Sequence, residues 1–263
     1  MSERALRLAR AGAALTVIAI TGAVISGCSS STPAASATGS ASATLAAPAT
    51  SAASATSAAA AECSPAASTA GEPVGYRACG VAARDVGIPV YDAAAAHETY
   101  TVTLATNRGN IVFTADGKAA PYTVYSFVYL AKKDYFNATK CHRLTTSGIF
   151  VLQCGDPTGT GAGGPGYAFQ DENLTAFGAP ANGYVTYPAG SVAMANAGPD
   201  TNGSQFFLVY KASPLAPDYT PFGTITQGLD ILQKIAAAGS NNANGTGDGA
   251  PNESVEIEKV TVG

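Results

Sequence analysis

The stretch SVAMANAGPDTNGSQFFL at residues 191–208 decides how this chain folds. Apolar runs at its two ends predict buried strands. Between them lies a polar turn rich in Gly, Asn, Asp and Pro, the residues that tight turns require. The sequence therefore predicts a strand–turn–strand unit in which amide side chains are held on a rigid apolar frame.

Short strands and two helices are predicted around this unit. Residues 100–106 and 255–262 alternate apolar and polar side chains, as half-buried strands do. One helix is predicted to begin at Pro121, because the missing N–H of proline costs nothing at the first helical position. A second, amphipathic helix is predicted over 228–238. Many short strands with two separated helices predict a mainly β fold, a closed antiparallel barrel capped at its ends.

Two further blocks accompany the opening stretch. Residues 141–157 contain Cys-His-Arg-Leu followed by Phe-Val-Leu-Gln-Cys-Gly-Asp-Pro, and residues 219–223 read Tyr-Thr-Pro-Phe-Gly. The three blocks, in this order, resemble the signature of the cyclophilins, the cyclosporin-binding family of peptidyl-prolyl isomerases. The resemblance covers residues 98–263. It implies an eight-stranded barrel capped by two helices, and an isomerase that acts on X-Pro peptide bonds.

Arg143 is the candidate catalytic residue. Amide resonance holds a prolyl peptide bond behind a rotational barrier of about 18–20 kcal/mol. A catalyst needs no covalent step, only tighter binding of the twisted amide, in which the proline nitrogen regains a lone pair. A fixed guanidinium that donates to that nitrogen in a site sheltered from water provides such binding.

The resemblance also implies a substrate groove around Arg143. It assigns an apolar slot for the proline ring, amides that orient the substrate carbonyl and the arginine, and contacts along the extended peptide. The slot residues are Phe150, Phe207 and Leu215, the amides are Gln153 and Gln205, and the peptide contacts are Ala195 and Asn196. Tyr219 stands where many cyclophilins carry an active-site His.

Structural roles are expected for two residues beside the candidate site. Phe206 points to the face opposite Phe207 and is expected in the core, whereas a functional Phe207 is expected to be exposed or half-exposed. Strand alternation likewise sends His142 to the face opposite Arg143. Ser204 lacks the Gly-x-Ser-x-Gly context of a hydrolase, so a catalytic triad is not expected.

The chain departs from the family pattern at several positions. It has no Trp, and Pro214 stands where many cyclophilins carry a Trp that contacts cyclosporin, so we expect weakened cyclosporin binding. Val151 replaces a common Met. Two extra residues between Arg143 and Gln153 predict a longer hairpin tip over 145–148.

Five cysteines indicate the compartment. Cys28 ends an apolar run in the sequence Ile-Ser-Gly-Cys, which resembles a bacterial lipobox, so we expect it to be lipidated. The other four allow three disulfide pairings. A cross-strand bridge between Cys141 and Cys154 is the first expectation, and it leaves Cys63 with Cys79. The four cysteines that remain after Cys28 are an even number, which is typical of disulfide-bonded proteins outside the cytoplasm. Their spacing does not match that of a metal site.

The N-terminal part is expected to serve export and anchoring. Residues 1–27 predict a lipoprotein signal peptide, and residues 28–61, almost all Ala, Ser, Thr, Pro and Gly, predict a disordered tether. Residues 62–96 form a bridging segment and residues 97–263 the isomerase domain. Loss of residues 1–27, with three Arg and one Glu, changes the net charge from −4 to −6, which argues against a nucleic-acid partner. We therefore predict a monomeric bacterial protein, lipid-anchored on the extracytoplasmic side of the cell membrane.

The predicted function is isomerisation, without cofactor or metal, of X-Pro bonds in exported proteins. Uncatalysed proline isomerisation is slow enough to limit the folding of such proteins. Two alternatives stay open. In the first, the groove binds proline-containing segments of a partner without turnover. In the second, the domain is a general chaperone, which would need a large exposed apolar patch. The presence of Arg143 favours the enzyme.

Overall fold

The structure, a computed structural model, describes residues 75–263. The predicted signal peptide and tether, with Cys28 and Cys63, lie outside these residues. The helices of the described part are α1 (Ala93–Ala96), α2 (Pro121–Lys132) and α3 (Leu229–Ala237). Its strands are β1 (Arg77–Ala78), β2 (Thr99–Thr106), β3 (Gly109–Asp116), β4 (Thr139–Lys140), β5 (Arg143–Thr145), β6 (Val151–Cys154), β7 (Tyr167–Ala168), β8 (Val185–Tyr187), β9 (Ser191–Met194), β10 (Phe206–Val209), β11 (Ser213–Leu215), β12 (Pro221–Gln227), β13 (Asp248–Gly249) and β14 (Glu256–Val262).

Ten of these strands form one curled antiparallel sheet in the order β13-β5-β6-β10-β9-β12-β3-β2-β14-β4. The predicted mainly β class is confirmed, but the closed eight-stranded barrel is wrong. Within residues 75–263, the end strands β13 and β4 pair with β5 and β14 and not with each other, so the sheet stays an open half-barrel. Both end strands are two residues long, too short to show the alternation by which a strand is predicted.

The hairpin of β2 and β3 forms one wall of the core. Its register pairs Val102 with Phe113 and Leu104 with Ile111, and all four side chains are buried inside the half-barrel. They belong to a large apolar cluster, here called the inner cluster, that also takes in side chains of α2 and α3. Its largest fully buried side chains include Phe113, Phe136, Phe206 and Phe222.

Helix α2 begins at Pro121, as predicted, and buries most of its length against the inner cluster. Its N-cap residue, Ala120, has no side chain that could accept hydrogen bonds from the first helical N–H groups. The carboxylate of Glu172 accepts the N–H groups of Tyr122 and Thr123 instead, at 3.1 and 2.8 Å. A residue distant in sequence therefore satisfies the helix terminus, which local sequence patterns do not reveal.

Of the other two helices, α3 was predicted from the sequence and α1 was not. Helix α3 is close to the predicted range and begins after Gly228, whose φ of 86° ends the preceding strand sharply. Helix α1 was not predicted, and it is a single turn capped by the Asp92 side chain, which accepts from Ala94 and Ala95. No helix within residues 75–263 is long and apolar enough to cross a membrane.

Residues 75–96, the described part of the predicted bridging segment, pack on the sheet domain. Strand β1 pairs with β7, next to the glycine-rich residues 159–166. Arg84 Nη1 donates to three carbonyl oxygens just beyond the end of α2, at 2.7–3.0 Å. The rings of Tyr91 and Tyr122 stack with their centroids 4.1 Å apart. This segment therefore covers one side of the domain.

The predicted disulfide between Cys141 and Cys154 is confirmed. It joins Cys141, just before β5, to Cys154, the last residue of β6. These two strands carry Arg143 and Gln153. Cys79 is also disulfide-bonded, and its predicted partner lies outside the described residues. The first bridge thus links the two strands that carry the candidate site.

Candidate active site

Strands β6 and β10 lie side by side and face two different environments. Their register pairs Phe206 with Cys154 and Phe207 with Gln153. Because successive side chains alternate along a strand, Phe206 joins the inner cluster, while Phe207 and Gln153 share the outer face. The candidate site is built on that outer face.

A second, smaller apolar cluster, here called the outer cluster, surrounds Phe207. Its buried members are Val151, Val185, Tyr187, Ala193, Phe207, Val209 and Leu215, and Ile149, Phe177, Ala195 and Tyr219 pack against it. Four predicted substrate-binding residues are therefore brought together here, from β10, β11 and the chain next to β9 and β12. These four are Phe207, Leu215, Ala195 and Tyr219.

Phe207 is 5% exposed, less than the half-exposed ring that a functional role had led us to expect. The rings of Tyr219 and Tyr187 cover it, with centroids 5.5 and 6.3 Å from its own. The Tyr187 hydroxyl donates to the backbone carbonyl of Tyr219 at 2.7 Å. Tyr187 was not predicted from the sequence, although the alternation of Val-Thr-Tyr on β8 is a signal that could have placed it beside Phe207.

The structure places Phe150 outside the outer cluster. Its ring packs against the inner cluster and lies 6.0 Å from the ring of Tyr210, and Lys211 Nζ lies 4.2 Å from its centroid. Strand alternation explains this position, since Val151 and Gln153 point outward and Phe150 points the other way. Ile149, not Phe150, packs against the outer cluster.

A row of polar side chains connects Arg143 to the signature stretch. Arg143 Nη1 donates to Gln153 Oε1 at 3.4 Å, and Gln153 Nε2 donates to Gln205 Oε1 at 2.8 Å. Gln205 Nε2 donates to the carbonyl oxygens of Gly161 and Gly163, both at 2.9 Å. The predicted catalytic arginine and the two glutamines predicted to orient it thus form one continuous chain of hydrogen bonds.

Arg143 has a second partner, Asp248 on β13. Arg143 Nε and Nη2 donate to the two carboxylate oxygens at 2.8 and 2.6 Å, the bidentate geometry that suits this pair. The two side chains are 18% and 15% exposed. Asp248 was not predicted from the sequence, where its only signal is a single carboxylate in the Gly- and Asn-rich stretch 241–249.

The ion pair shifts the pKa values of both partners toward their charged forms. The hydrogen bonds that Arg143 donates to Asp248 raise the pKa of Arg143, although burial opposes this shift. Burial alone would raise the pKa of Asp248, but the hydrogen bond and charge of Arg143 lower it. Burial raises the pKa of the Tyr219 hydroxyl, so this ring is neutral at physiological pH.

The glycine-rich loop is held by one buried carboxylate. Asp156 accepts hydrogen bonds from the backbone N–H groups of Thr158, Thr160, Gly161 and Gly163, at 2.7–3.1 Å. A Cβ at position 163 would lie 2.0 Å from Asp156 Oδ1, so only glycine fits there. The loop is therefore a fixed frame for the amide of Gln205.

Asn196 ties the signature turn to the loop of Tyr219. Its Nδ2 donates to the carbonyl oxygen of Asp218 at 2.7 Å. The backbone N–H of Ala195 donates to the carbonyl oxygen of Gln205 at 2.9 Å. Asn196 thus supports the rim of the outer cluster, and its predicted contact with a peptide stays a prediction.

His142 packs against the glycine-rich loop. A Cβ at Gly161 would lie 3.3 Å from its ring, so the imidazole fills the space beneath that glycine. Burial lowers the pKa of His142, against the opposing charge of Asp156. A neutral ring in this position agrees with a structural role.

The family model described as "Cyclophilin type peptidyl-prolyl cis-trans isomerase/CLD" matches residues 101–262. With the signature stretch, the arginine and the two glutamines assembled as above, the chain belongs to the cyclophilin-type peptidyl-prolyl cis-trans isomerase family. The match leaves residues 75–100 outside the family model, although the structure packs them on the domain.

Similar proteins come from bacteria and eukaryotes. A Mycobacterium tuberculosis protein named "Probable peptidyl-prolyl cis-trans isomerase B" is 52% identical over 166 residues, 61% of this chain and 53% of the relative. A Helicobacter pylori peptidyl-prolyl cis-trans isomerase is 42% identical over 141 residues, 52% of this chain and 81% of the relative. The chain thus spans about half the length of the mycobacterial relatives it matches.

Solved structures agree with this assignment. A Cryptosporidium parvum cyclophilin matches with a TM-score of 0.53 and 29% identity, over 63% of this chain and 98% of the other. The same protein, solved in the presence of the dipeptide Ala-Pro, matches with a TM-score of 0.52. The similarity therefore covers almost the whole of a cyclophilin domain.

Proposed function

We propose that the chain is a peptidyl-prolyl cis–trans isomerase in which Arg143 stabilises the twisted X-Pro amide without a covalent step. The observation that carries the proposal is the guanidinium itself, fixed by Asp248 through Nε and Nη2 and directed with Nη1 toward Gln153 beside the outer cluster. A guanidinium has five N–H donors, so the two contacts with Asp248 leave donors for a substrate.

In this mechanism the proline ring enters the outer cluster, against Phe207 and Leu215 and next to Tyr219. Gln153 and Gln205 orient the substrate carbonyl and the guanidinium. Arg143 then donates to the proline nitrogen, whose lone pair is available only when the amide is twisted, so the contact favours the transition state over either ground state.

The size of this contribution can be bounded. A hydrogen bond from a charged donor contributes about 1.5–3 kcal/mol, and each 1.36 kcal/mol is a tenfold change in rate. Arg143 would therefore supply about a 10- to 150-fold acceleration. Any further acceleration comes from the apolar slot, which shelters the amide from water.

The comparisons support the substrate class. Relatives that are 42–52% identical carry the name peptidyl-prolyl cis-trans isomerase. The Cryptosporidium cyclophilin was solved with Ala-Pro, an X-Pro dipeptide. Proline-containing peptide segments are accordingly the proposed ligands of the outer cluster.

The proposed place of action is the extracytoplasmic face of a bacterial membrane, with the chain anchored through lipid on Cys28. The lipobox-like sequence supports the anchor. The disulfides at Cys79 and between Cys141 and Cys154 support an oxidising compartment. Exported proteins would then be the substrates. Pro214 on β11 offers no indole ring, which supports the expected weak binding of cyclosporin.

The test is isomerisation of a short Ala-Pro peptide, followed by NMR exchange, with the full chain in mild detergent. We expect the wild type to accelerate the reaction and Arg143→Ala to lose most of the acceleration, roughly 10- to 150-fold. Arg108→Ala is the matched control, because Arg108 forms a partly exposed ion pair with Glu253 and has no hydrogen bond to a predicted site residue among the described residues. A folded wild type without acceleration would contradict the proposal.

A binding module without turnover is the second candidate, and one observation favours it. Asp248 engages two of the three guanidinium nitrogens of Arg143 and partly neutralises its charge. If this pairing holds the arginine away from the amide, the peptide would bind without faster isomerisation. Saturable binding of the Ala-Pro peptide by an inactive wild type would establish this function.

A further inference from the structure

We propose that Asp248 is a positioning residue, which holds the guanidinium of Arg143 in the plane and direction that isomerisation requires. This inference rests on the proposed isomerase activity, and it assigns to that activity a carboxylate that lies 105 residues from the arginine in sequence. Asp248 does not itself contact the peptide in this mechanism. It acts only through Arg143.

The geometry of the pair carries the inference. An arginine on a short strand is free to rotate about its side-chain bonds, and a single hydrogen bond leaves the guanidinium plane undefined. Two parallel bonds, from Nε and Nη2 to one carboxylate, fix that plane and leave Nη1 outside the ion pair. Nη1 is the atom that donates to the amide row, 3.4 Å from Gln153 Oε1.

The loop before Asp248 is built to hold it still. Asn242 Oδ1 accepts the N–H of Gly247 at 2.7 Å, and the carbonyl of Gly247 accepts the N–H of Thr146 at 2.7 Å. Asn241 Oδ1 accepts the N–H of Ala250 at 3.0 Å on the other side of the carboxylate. The loop is therefore bonded internally and to the tip of the β5–β6 hairpin.

The loop also leaves no room for a side chain next to Asp248. A Cβ at position 249 would lie 2.1 Å from Asn241 Oδ1, so the residue after Asp248 has to be glycine. Asn244 Nδ2 donates to Asp248 Oδ1 at 3.3 Å, which gives the carboxylate a second fixed partner. A carboxylate with this support can orient an arginine, whereas one on a mobile loop cannot.

The pair also determines how Arg143 acts. Both partners are mostly buried, and the carboxylate balances the charge of the guanidinium. The arginine therefore acts by a directed N–H contact more than by its net charge. Loss of direction should lower kcat, which reports the twisted amide, and leave KM nearly unchanged, because the proline ring binds the outer cluster.

The experiment measures kcat and KM of the full chain for an Ala-Pro peptide with Asp248 substituted. We expect Asp248→Ala to lower kcat on the order of tenfold, with KM changed less than about twofold. Asp248→Asn keeps one acceptor oxygen and should recover part of the loss. In an Arg143→Ala background, Asp248→Ala should add no further loss, since the two residues act as one unit.

Controls separate positioning from folding. Asp230→Ala removes an exposed carboxylate that pairs with Lys234 on α3, and kcat should stay at the wild-type value. Thermal unfolding shows whether each variant is folded. The NMR signal of the Arg143 Nε–H, assigned by its absence in Arg143→Ala, should broaden in Asp248→Ala because the fork is released.

Three results would overturn the inference. The first is an unchanged kcat in Asp248→Ala, and the second is a raised kcat, which would mean that Asp248 holds the arginine back. The third is that Asp248→Ala lowers kcat as much in the Arg143→Ala background as in the wild type. A wild type without activity would instead contradict the proposed function. The inference would then be decided by the Nε–H signal alone, and an unaltered signal in a folded Asp248→Ala would overturn it.

Discussion

Phe206 and Phe207 are neighbours in the chain and belong to different parts of the molecule. Phe206 lies in the inner cluster, with its centroid 5.3 Å from that of Phe127 and 5.7 Å from that of Phe136. Phe207 lies in the outer cluster, covered by two tyrosines and bordered by the amide row. The strand period of two gives one face to the core and the other to the candidate site.

The two clusters differ in what surrounds them. The inner cluster is closed by α2, α3 and the curved sheet, and its aromatic rings contact one another from several directions. The outer cluster is smaller and ends at polar side chains, Arg143 among them. Burial is nearly the same for the two phenylalanines, so burial alone does not separate a core residue from a site residue. The neighbouring polar groups do.

Truncation of each phenylalanine tests this difference between the two clusters most directly. Phe206→Ala should lower the free energy of unfolding by about 3–5 kcal/mol, because a large cavity opens in a packed core. Phe207→Ala should cost less stability and raise KM about tenfold, because it removes a wall of the proposed slot. Chemical denaturation and peptide kinetics measure the two effects.

Since Phe206→Ala could remove most of a typical domain stability of about 5–15 kcal/mol, Phe206→Leu and Phe207→Leu form a milder pair. The same division should hold between them, with stability lost at 206 and KM raised at 207. Equal losses of stability with KM unchanged in both variants would mean that the outer cluster is only a second core.

The disulfide tests how far the inner cluster supports the site. Cys141 and Cys154 are buried in the inner cluster and separated by 13 residues. Replacing both by Ala should lower the free energy of unfolding by about 3 kcal/mol, from the loop entropy of the unfolded chain. The double substitution is preferable to a reducing agent, which would also attack the disulfide of Cys79.

The same variant should lower kcat less than Asp248→Ala does. The bridge links β5 to β6, but the register of Arg143 opposite Gln153 is also held by the sheet. A larger fall in kcat than in Asp248→Ala, with stability unchanged, would show that the bridge positions the arginine directly.

Much of this architecture could be predicted from local patterns. The alternation in 100–106 and 255–262 predicted β2 and β14, and the ordered blocks predicted that Arg143, Gln153 and Gln205 meet. These predictions succeeded because strand alternation and the family pattern can both be recognised within short stretches of consecutive residues.

The features that escaped prediction depend on contacts distant in sequence. Asp248 contacts Arg143 from 105 residues further along the chain, and Glu172 accepts from the N–H of Tyr122 in α2, 50 residues earlier. The contact of Phe150 with the proline ring stays a prediction, since its half-buried ring, just before β6, packs against the inner cluster. The two-residue end strands have no periodicity at all, so the open edge of the sheet could not be foreseen.

The smallest expected effect concerns His142, which lies beneath the loop that frames the outer face. Burial lowers its pKa below the ordinary 6.5, Asp156 opposes that shift and Arg143 adds to it. Between its lowered pKa and 6.5, the unfolded chain binds more protons than the folded one, so stability rises with pH in this window.

Acidification from pH 7 to 5.5 should therefore lower the free energy of unfolding, by at most about 1.4 kcal/mol per pH unit from this one group. Denaturation at several pH values measures the slope, and His142→Phe should flatten it. His97→Gln, which changes the exposed second histidine of the chain, is the matched control. An unchanged slope in His142→Phe would place the pH dependence in other groups and leave the imidazole as a packing element of the glycine-rich loop.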